Sequence, residues 1–261
     1  MLIILATLIL GILGFVFAAL LGLAAQKFHV EEDLRVSTIM AILPGANCGA
    51  CGSAGCHDFA EKLIKGEVAV SGCTVGGHEV AQKIAHIMGV EGEDIHKKIA
   101  TIHCGAKSSQ RKKKAEYFGV KTCSASNIVD GGGLFCRYGC LGYGDCFCVC
   151  PFDAIAMKDG LPVVDPEKCT ACGKCVSACP RSIISLRLYA AKVYVACSSH
   201  DKGADVRKIC PVGCIACKIC EKQVPEVFKV EDNLAMMDYS KLDISCDIAI
   251  EKCPTKCIVK S

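Results

Sequence analysis

The chain opens on its longest apolar stretch. No charged residue occurs between Met1 and Gln26. The run from Leu2 to Ala25 would make a helix about 36 Å long, against about 30 Å for the hydrocarbon core of a bilayer. It predicts a membrane-spanning helix over 1–26. A secretory signal would show a basic start, a shorter apolar run and a cleavage site. No basic residue precedes this run. Beyond it the pattern breaks into short pieces. Val36 to Leu43 is amphipathic and closes at Pro44-Gly45. His57 to Lys65 and His78 to Met88 repeat apolar positions at helical spacing and stop at Gly66 and Gly89. From Cys136 onward, Cys-rich loops alternate with short β-like pieces: Ala154–Met157, Leu161–Val164, Ile183–Leu186, Val193–Ala196, Val227–Val230 and Leu234–Met237. Asp232-Asn233 predicts a hairpin turn between the last two.

Composition changes this picture in one respect. Of 261 residues, 23 are Cys and 25 are Gly, aromatics are 6% and Trp is absent. So few large side chains leave the interior short of bulk, and disulfides or metal centres must supply the rest. Lys27 and Arg35 follow the span and place the C-terminal bulk on the cytoplasmic side; Glu31, Glu32 and Asp33 count little in this rule. That compartment is reducing, which favours metal over disulfides. The net charge of +3 gives no case for a nucleic-acid partner.

The cysteine spacings carry the chemistry. Cys169-x2-Cys172-x2-Cys175-x3-Cys179-Pro180 is the bacterial [4Fe–4S] spacing, in which the Cys before Pro serves the other cluster of a pair. The partner run is Cys136-x3-Cys140-x5-Cys146-x3-Cys150-Pro151. The expected clusters are Cys136, Cys140, Cys146 and Cys179, and Cys150, Cys169, Cys172 and Cys175. Zinc also binds paired Cys-x2-Cys, but needs no four cysteines before a Pro, twice. Cys148 is left as a spare buried thiol.

The last third repeats this module in decayed form. Cys214, Cys217, Cys220 and Cys253 remain for one cluster. The second would need cysteines at Val224, Asp243 and Ala249, beside Cys246. All three missing ligands fall in one cluster, so one is lost and one kept, with Cys246 and Cys257 left over. Nearer the N-terminus, Cys48, Cys51, Cys56 and Cys73, set among glycines, suffice for a further cluster, with zinc the alternative on spacing alone. Cys104, Cys123, Cys197 and Cys210 are candidates for a fifth, against inert buried thiols.

Other features are plainer. His57, His78, His86, His96, His103 and His200 read as surface or helix-face residues. Gly131-Gly132-Gly133 precedes a Cys loop rather than a helix, so it is no phosphate loop. Arg111 to Lys114 reads as an exposed basic loop, with docking of an acidic ferredoxin its alternative use.

The set Leu43-Pro44-Gly45-Ala46-Asn47-Cys48-Gly49-Ala50-Cys51-Gly52, with Gly55-Cys56 and Cys73-Thr74-Val75-Gly76-Gly77, resembles the iron–sulfur domain of the B-type subunit of Rnf complexes. Gly139 to Cys146, Cys197 to Gly203 and Cys253 to Ile258 resemble the longer anaerobic members. The departures at Val224, Asp243 and Ala249 put the last cluster in doubt, not the function that the resemblance implies. The resemblance implies an electron-transfer subunit of a membrane-bound ferredoxin:NAD oxidoreductase coupled to Na⁺ or H⁺ translocation. It implies soluble ferredoxin, a flavin- and NAD-binding C-type subunit, other membrane subunits and the plasma (inner) membrane bilayer as partners. A membrane-anchored polyferredoxin serving another reductase is the alternative. The expected fold is α+β: a transmembrane helix (1–26), a small helical [4Fe–4S] domain (27–100), a linker with the basic loop (101–135), and tandem ferredoxin-like modules (136–190 and 191–261). No catalytic nucleotide site is expected.

Overall fold

The computed structural model describes residues 2–27, 33–91, 96–241 and 244–260. Glu31, Glu32 and Asp243, weighed above, lie outside the described residues. Helix α1 (Leu2–Lys27) is apolar on every face and, from Ile4 onward, almost wholly exposed, with Lys27 in its last turn. An all-round apolar helix has no polar side to show water, so lipid is the solvent that suits it.

A compact helical domain follows. It packs α2 (Leu34–Ile42), α3 (Cys56–Ile64) and α4 (Gly77–Met88) around Ile39, Phe59, Leu63 and Ile84. The Asp33 side chain accepts the Arg35 N–H and caps α2. Gly89, left-handed at φ 67°, ends α4.

The rest is a duplicated βααββαβ unit. In the first module, β1 (Lys98–Ile102) comes first. Then come α5 (Cys123–Ile128), α6 (Asp145–Cys148), the hairpin β2 (Ile155–Lys158) and β3 (Leu161–Val164), α7 (Lys174–Ala178) and β4 (Ile184–Leu188). Strand β1 pairs antiparallel with β4, Ala100 opposite Leu186, and β2 pairs with β3. The second module runs β5 (Val193–Val195), α8 (Gly203–Ile209), α9 (Ile219–Gln223), β6 (Phe228–Glu231), β7 (Leu234–Met237), α10 (Asp247–Lys252) and β8 (Ile258–Lys260). Strand β5 pairs with β8 and β6 with β7, repeating first-with-last and a central hairpin. Both hairpins turn on two left-handed residues, Asp159-Gly160 and Asp232-Asn233, which matches the twist of paired strands.

Residues 101–135 are not a linker. Strand β1 crosses the expected boundary and closes the first sheet, and the segment after it lies against the module. Arg111 is the reason: its guanidinium donates to the Cys140 and Gly160 carbonyls, so the basic run is pinned at its first residue. Arg181 similarly donates to the Arg137 and Gly131 carbonyls. The two modules are also joined. The half-buried His103 ring reaches the Val195 carbonyl and the Ser185 hydroxyl, both at 2.7 Å, so His103 is not the surface residue expected. Gly105 N–H donates to the Ala196 carbonyl at 2.9 Å.

Candidate metal centres

Five cavities hold 21 of the 23 cysteines, all but Cys148 and Cys246. The N-proximal one is lined by Cys48, Cys51, Cys56 and Cys73. Gly45, Gly49 and Gly52, all at positive φ, bend this loop, and Asn47 holds it by accepting the Cys56 N–H at 2.8 Å. In the first module, Cys150, Cys169, Cys172 and Cys175 share one cavity, the set expected from spacing.

Its neighbour differs from expectation. Cys140, Cys146 and Cys179 are joined by Cys123, not by Cys136. Backbone conformation explains the exchange. The loops Cys169–Cys175 and Cys214–Cys220 each place a cysteine between two left-handed residues: Cys172 between Ala171 and Gly173, Cys217 between Ala216 and Lys218. The loop Cys140–Cys146 has the same shape, with Gly142 and Gly144 at φ 84° and 85°, but Tyr143 stands between them. The missing thiol comes from α5. Asp145, at the start of α6, accepts the N–H groups of Cys123 and Ser124 at 2.7 and 2.9 Å and so fastens the N-terminus of α5 beside Cys146.

Cys136 goes to a separate cavity, with Cys104, Cys197 and Cys210. Three of the four candidates for a fifth centre therefore meet, and the fourth is Cys136 in place of Cys123. This cavity lies between the modules and repeats their duplication. Cys104 stands two residues beyond β1, and Cys197 two beyond β5. Cys136-x3-Cys140 matches Cys210-x3-Cys214. The Cys140 N–H points at Cys104 Sγ at 3.4 Å, and the Cys214 N–H at Cys197 Sγ at 3.2 Å. The signal was in the sequence: the spacing Cys-x3-Cys-Leu/Ile occurs in both modules, and aligning them pairs Cys136 with Cys210.

The last cavity is lined by Cys214, Cys217, Cys220 and Cys253, as expected, and also by Cys257. Cys257 was counted as a leftover; it is buried against this site. Where the lost cluster would lie, Val224, Cys246 and Ala249 are buried in a core with Val227 and Phe228. Cys148 is exposed rather than buried.

The donor set fits iron–sulfur clusters. Each cavity offers at least four thiols in largely apolar walls. Amide N–H groups aim at sulfur: Ala100 at Cys169, Ala154 at Cys150 and Ala235 at Cys214, each at 3.4 Å. Burial pushes Cys140, Cys146 and Cys197 up to about 12, and Cys175 and Cys220 up to about 11. Thiols so placed become thiolates only against a strong positive charge, which bound metal provides.

Comparison with known proteins agrees with this geometry. Residues 43–75 match the family described as a putative Fe-S cluster, and residues 162–185 match the 4Fe-4S binding domain. The B-type subunit of the Na⁺-translocating ferredoxin:NAD⁺ oxidoreductase complex of Acetobacterium woodii is 46% identical over 96% of this chain and 75% of its own length. The B-type subunit of the ion-translocating oxidoreductase complex of Methanosarcina acetivorans is 37% identical over 96% of this chain and 95% of its own. That of the proton-translocating ferredoxin:NAD⁺ oxidoreductase complex of Clostridium ljungdahlii is 40% identical over 96% and 89%. The chain belongs to this B-type subunit family. Its members are subunits of Rnf-type ion-translocating oxidoreductases, and the chain carries both of the family's iron–sulfur regions and one N-terminal helix fit to cross a membrane. The two family matches cover the N-proximal loop and the most regular Cys run. The module interface lies outside both, in the region where the cavities group Cys123 and Cys136 differently from sequence spacing.

Proposed function

We propose that this Rnf-type subunit is an electron relay with five [4Fe–4S] clusters, taking electrons from reduced ferredoxin and passing them toward a flavin- and NAD-binding partner subunit. The observation that carries the reading is a repeated four-residue step. Cys146 lies in α6 with Cys150 just beyond it, Cys175 lies in α7 with Cys179 just beyond it, and Cys136/Cys140 and Cys210/Cys214 leave the interface; each pair has one thiol in each of two neighbouring cavities. Four cavities are thereby strung in a row. The order is Cys150/169/172/175, then Cys123/140/146/179, then Cys104/136/197/210, then Cys214/217/220/253.

Single-electron storage and transfer is the chemistry these groups supply when bound. The chain's own part is placement and tuning. Thiolates four residues apart fix neighbouring centres at short separation. Amide N–H groups aimed at sulfur stabilise added negative charge, and apolar walls keep water out. Helix α1 anchors the relay in the plasma (inner) membrane with the bulk on the cytoplasmic side. It holds no charged residue across its apolar run and so offers an ion no path. Translocation of Na⁺ or H⁺ falls to other membrane subunits.

The test is anaerobic purification with native membranes. The chain should co-purify with flavin-containing and multi-span subunits and carry about twenty iron atoms. Reduced ferredoxin should bleach its absorbance near 400 nm. A colourless, zinc-rich protein, or one that isolates without such partners, overturns the reading.

A further inference from the structure

Cys-Pro occurs four times, and the turns at Cys150, Cys179 and Cys253 share one backbone, which the turn at Cys210 does not. Asp153, Ser182 and Lys256 take φ of 48°, 51° and 52°, each three residues after the cysteine. The next residue is buried in all three: Ala154 at 1% exposure, Ile183 at 2% and Cys257 at 3%. Alanine and isoleucine fill this position in the first module, so packing there needs no sulfur. In the second module the side chain is a thiol, and it joins a cavity that already has four cysteines. Cys257 Sγ lies 3.6 Å from Cys253 Sγ. Of the two thiols that line no cavity, Cys148 is exposed, and Cys246 turns to the Ile244 carbonyl at 3.5 Å and sits in the apolar core.

A cubane offers four irons, one for each cysteine, so five thiols are one too many. We propose that Cys257 is an interchangeable partner of Cys253, able to replace it as the fourth ligand of the last centre. This rests on the reading that the cavity holds a cluster. The exchange balances without any other reactant. The bond from iron to the Cys257 sulfur forms as the bond to the Cys253 sulfur breaks. The Cys257 proton crosses the 3.6 Å contact to Cys253, and no electron moves. Where Cys253 is absent, the same proton goes to water and Cys257 closes the site. The last centre would then survive loss or oxidation of one ligand. The corresponding positions in the first module, Ala154 and Ile183, give its centres no such reserve.

The test uses full-length protein in detergent, loaded anaerobically with iron and sulfide. Iron and sulfide counts, the EPR spectrum after dithionite and far-UV circular dichroism are read on C217A, C253A, C257A and C253A/C257A. C217A and the double variant should each lose about four irons. C253A and C257A should each keep the wild-type count, with one EPR signal altered in C253A. A folded C253A that loses as much iron as C217A overturns the exchange while leaving the cluster in place. If C217A keeps all its iron, the cavity holds no cluster and the reading beneath the proposal fails. Should C253A not fold, C253S takes its place: iron kept in C253S and lost in C253S/C257A supports the exchange. Equal iron in those two overturns it.

Discussion

The two modules have the same strands in the same order, yet fill their interiors differently. In the first, two thiol-lined cavities occupy the space between the helices and the sheets. In the second, one cavity remains, and the other half is closed by Val224, Cys246, Ala249, Val227 and Phe228. A thiol-lined cavity and an apolar plug thus take equivalent places on this backbone. The plug is complete, and a half-emptied site would leave both a void and unligated thiols. The first module shows the opposite arrangement. There Tyr143 stands where the matching loops carry a cysteine, and Cys123 of α5 lines the cavity with Cys140, Cys146 and Cys179.

The largest test of this contrast is at the seam. Cys136→Ala should cost about four irons and stop turnover of the assembled complex, because the two modules lose the centre between them. If iron falls but turnover persists, electrons do not need the seam. Next is the Tyr143 loop. Cys123→Ala should lose about four irons, and adding Tyr143→Cys should restore them, as judged by iron and sulfide analysis. No recovery would mean that the two loops are alike in shape but not in reach. Removing iron altogether should separate the modules by hydrogen exchange. Amides of β2 and β3 should lose protection well before those of β6 and β7, whose underside is packed with side chains. Val224→Ala should then destabilise the second module by about 1–3 kcal/mol in thermal unfolding, with iron unchanged. The smallest effect belongs to Cys246→Ala: no change in iron, and a loss of about 1 kcal/mol or less.

Regular spacing made much of this legible. The helices at His57–Lys65 and His78–Met88, the central hairpins and the set Cys150/169/172/175 all follow from local periodicity or one contiguous run. Strand β1 was not legible, because Lys98 to Ile102 pairs with the distant β4, and only that pairing distinguishes it from a connector. Cys123 was hidden for a similar reason. It sits on a six-residue helix in an insertion without period, and its place depends on Asp145 capping that helix from the far side of the loop. Cys136 misled because proximity in sequence favoured Cys140 and Cys146, whereas the seam between the modules claims it.

The four-residue step has a further consequence, for how the protein is built. A short helix with one thiol in each of two cavities is half-ordered as soon as either is filled. Iron delivery along the row should therefore be cooperative, with partly loaded chains rare. Oxygen damage should run the same way, since a centre that falls apart loosens its neighbour's ligand. The N-proximal loop shares no cysteine step with the row. It should mature, and fail, by itself.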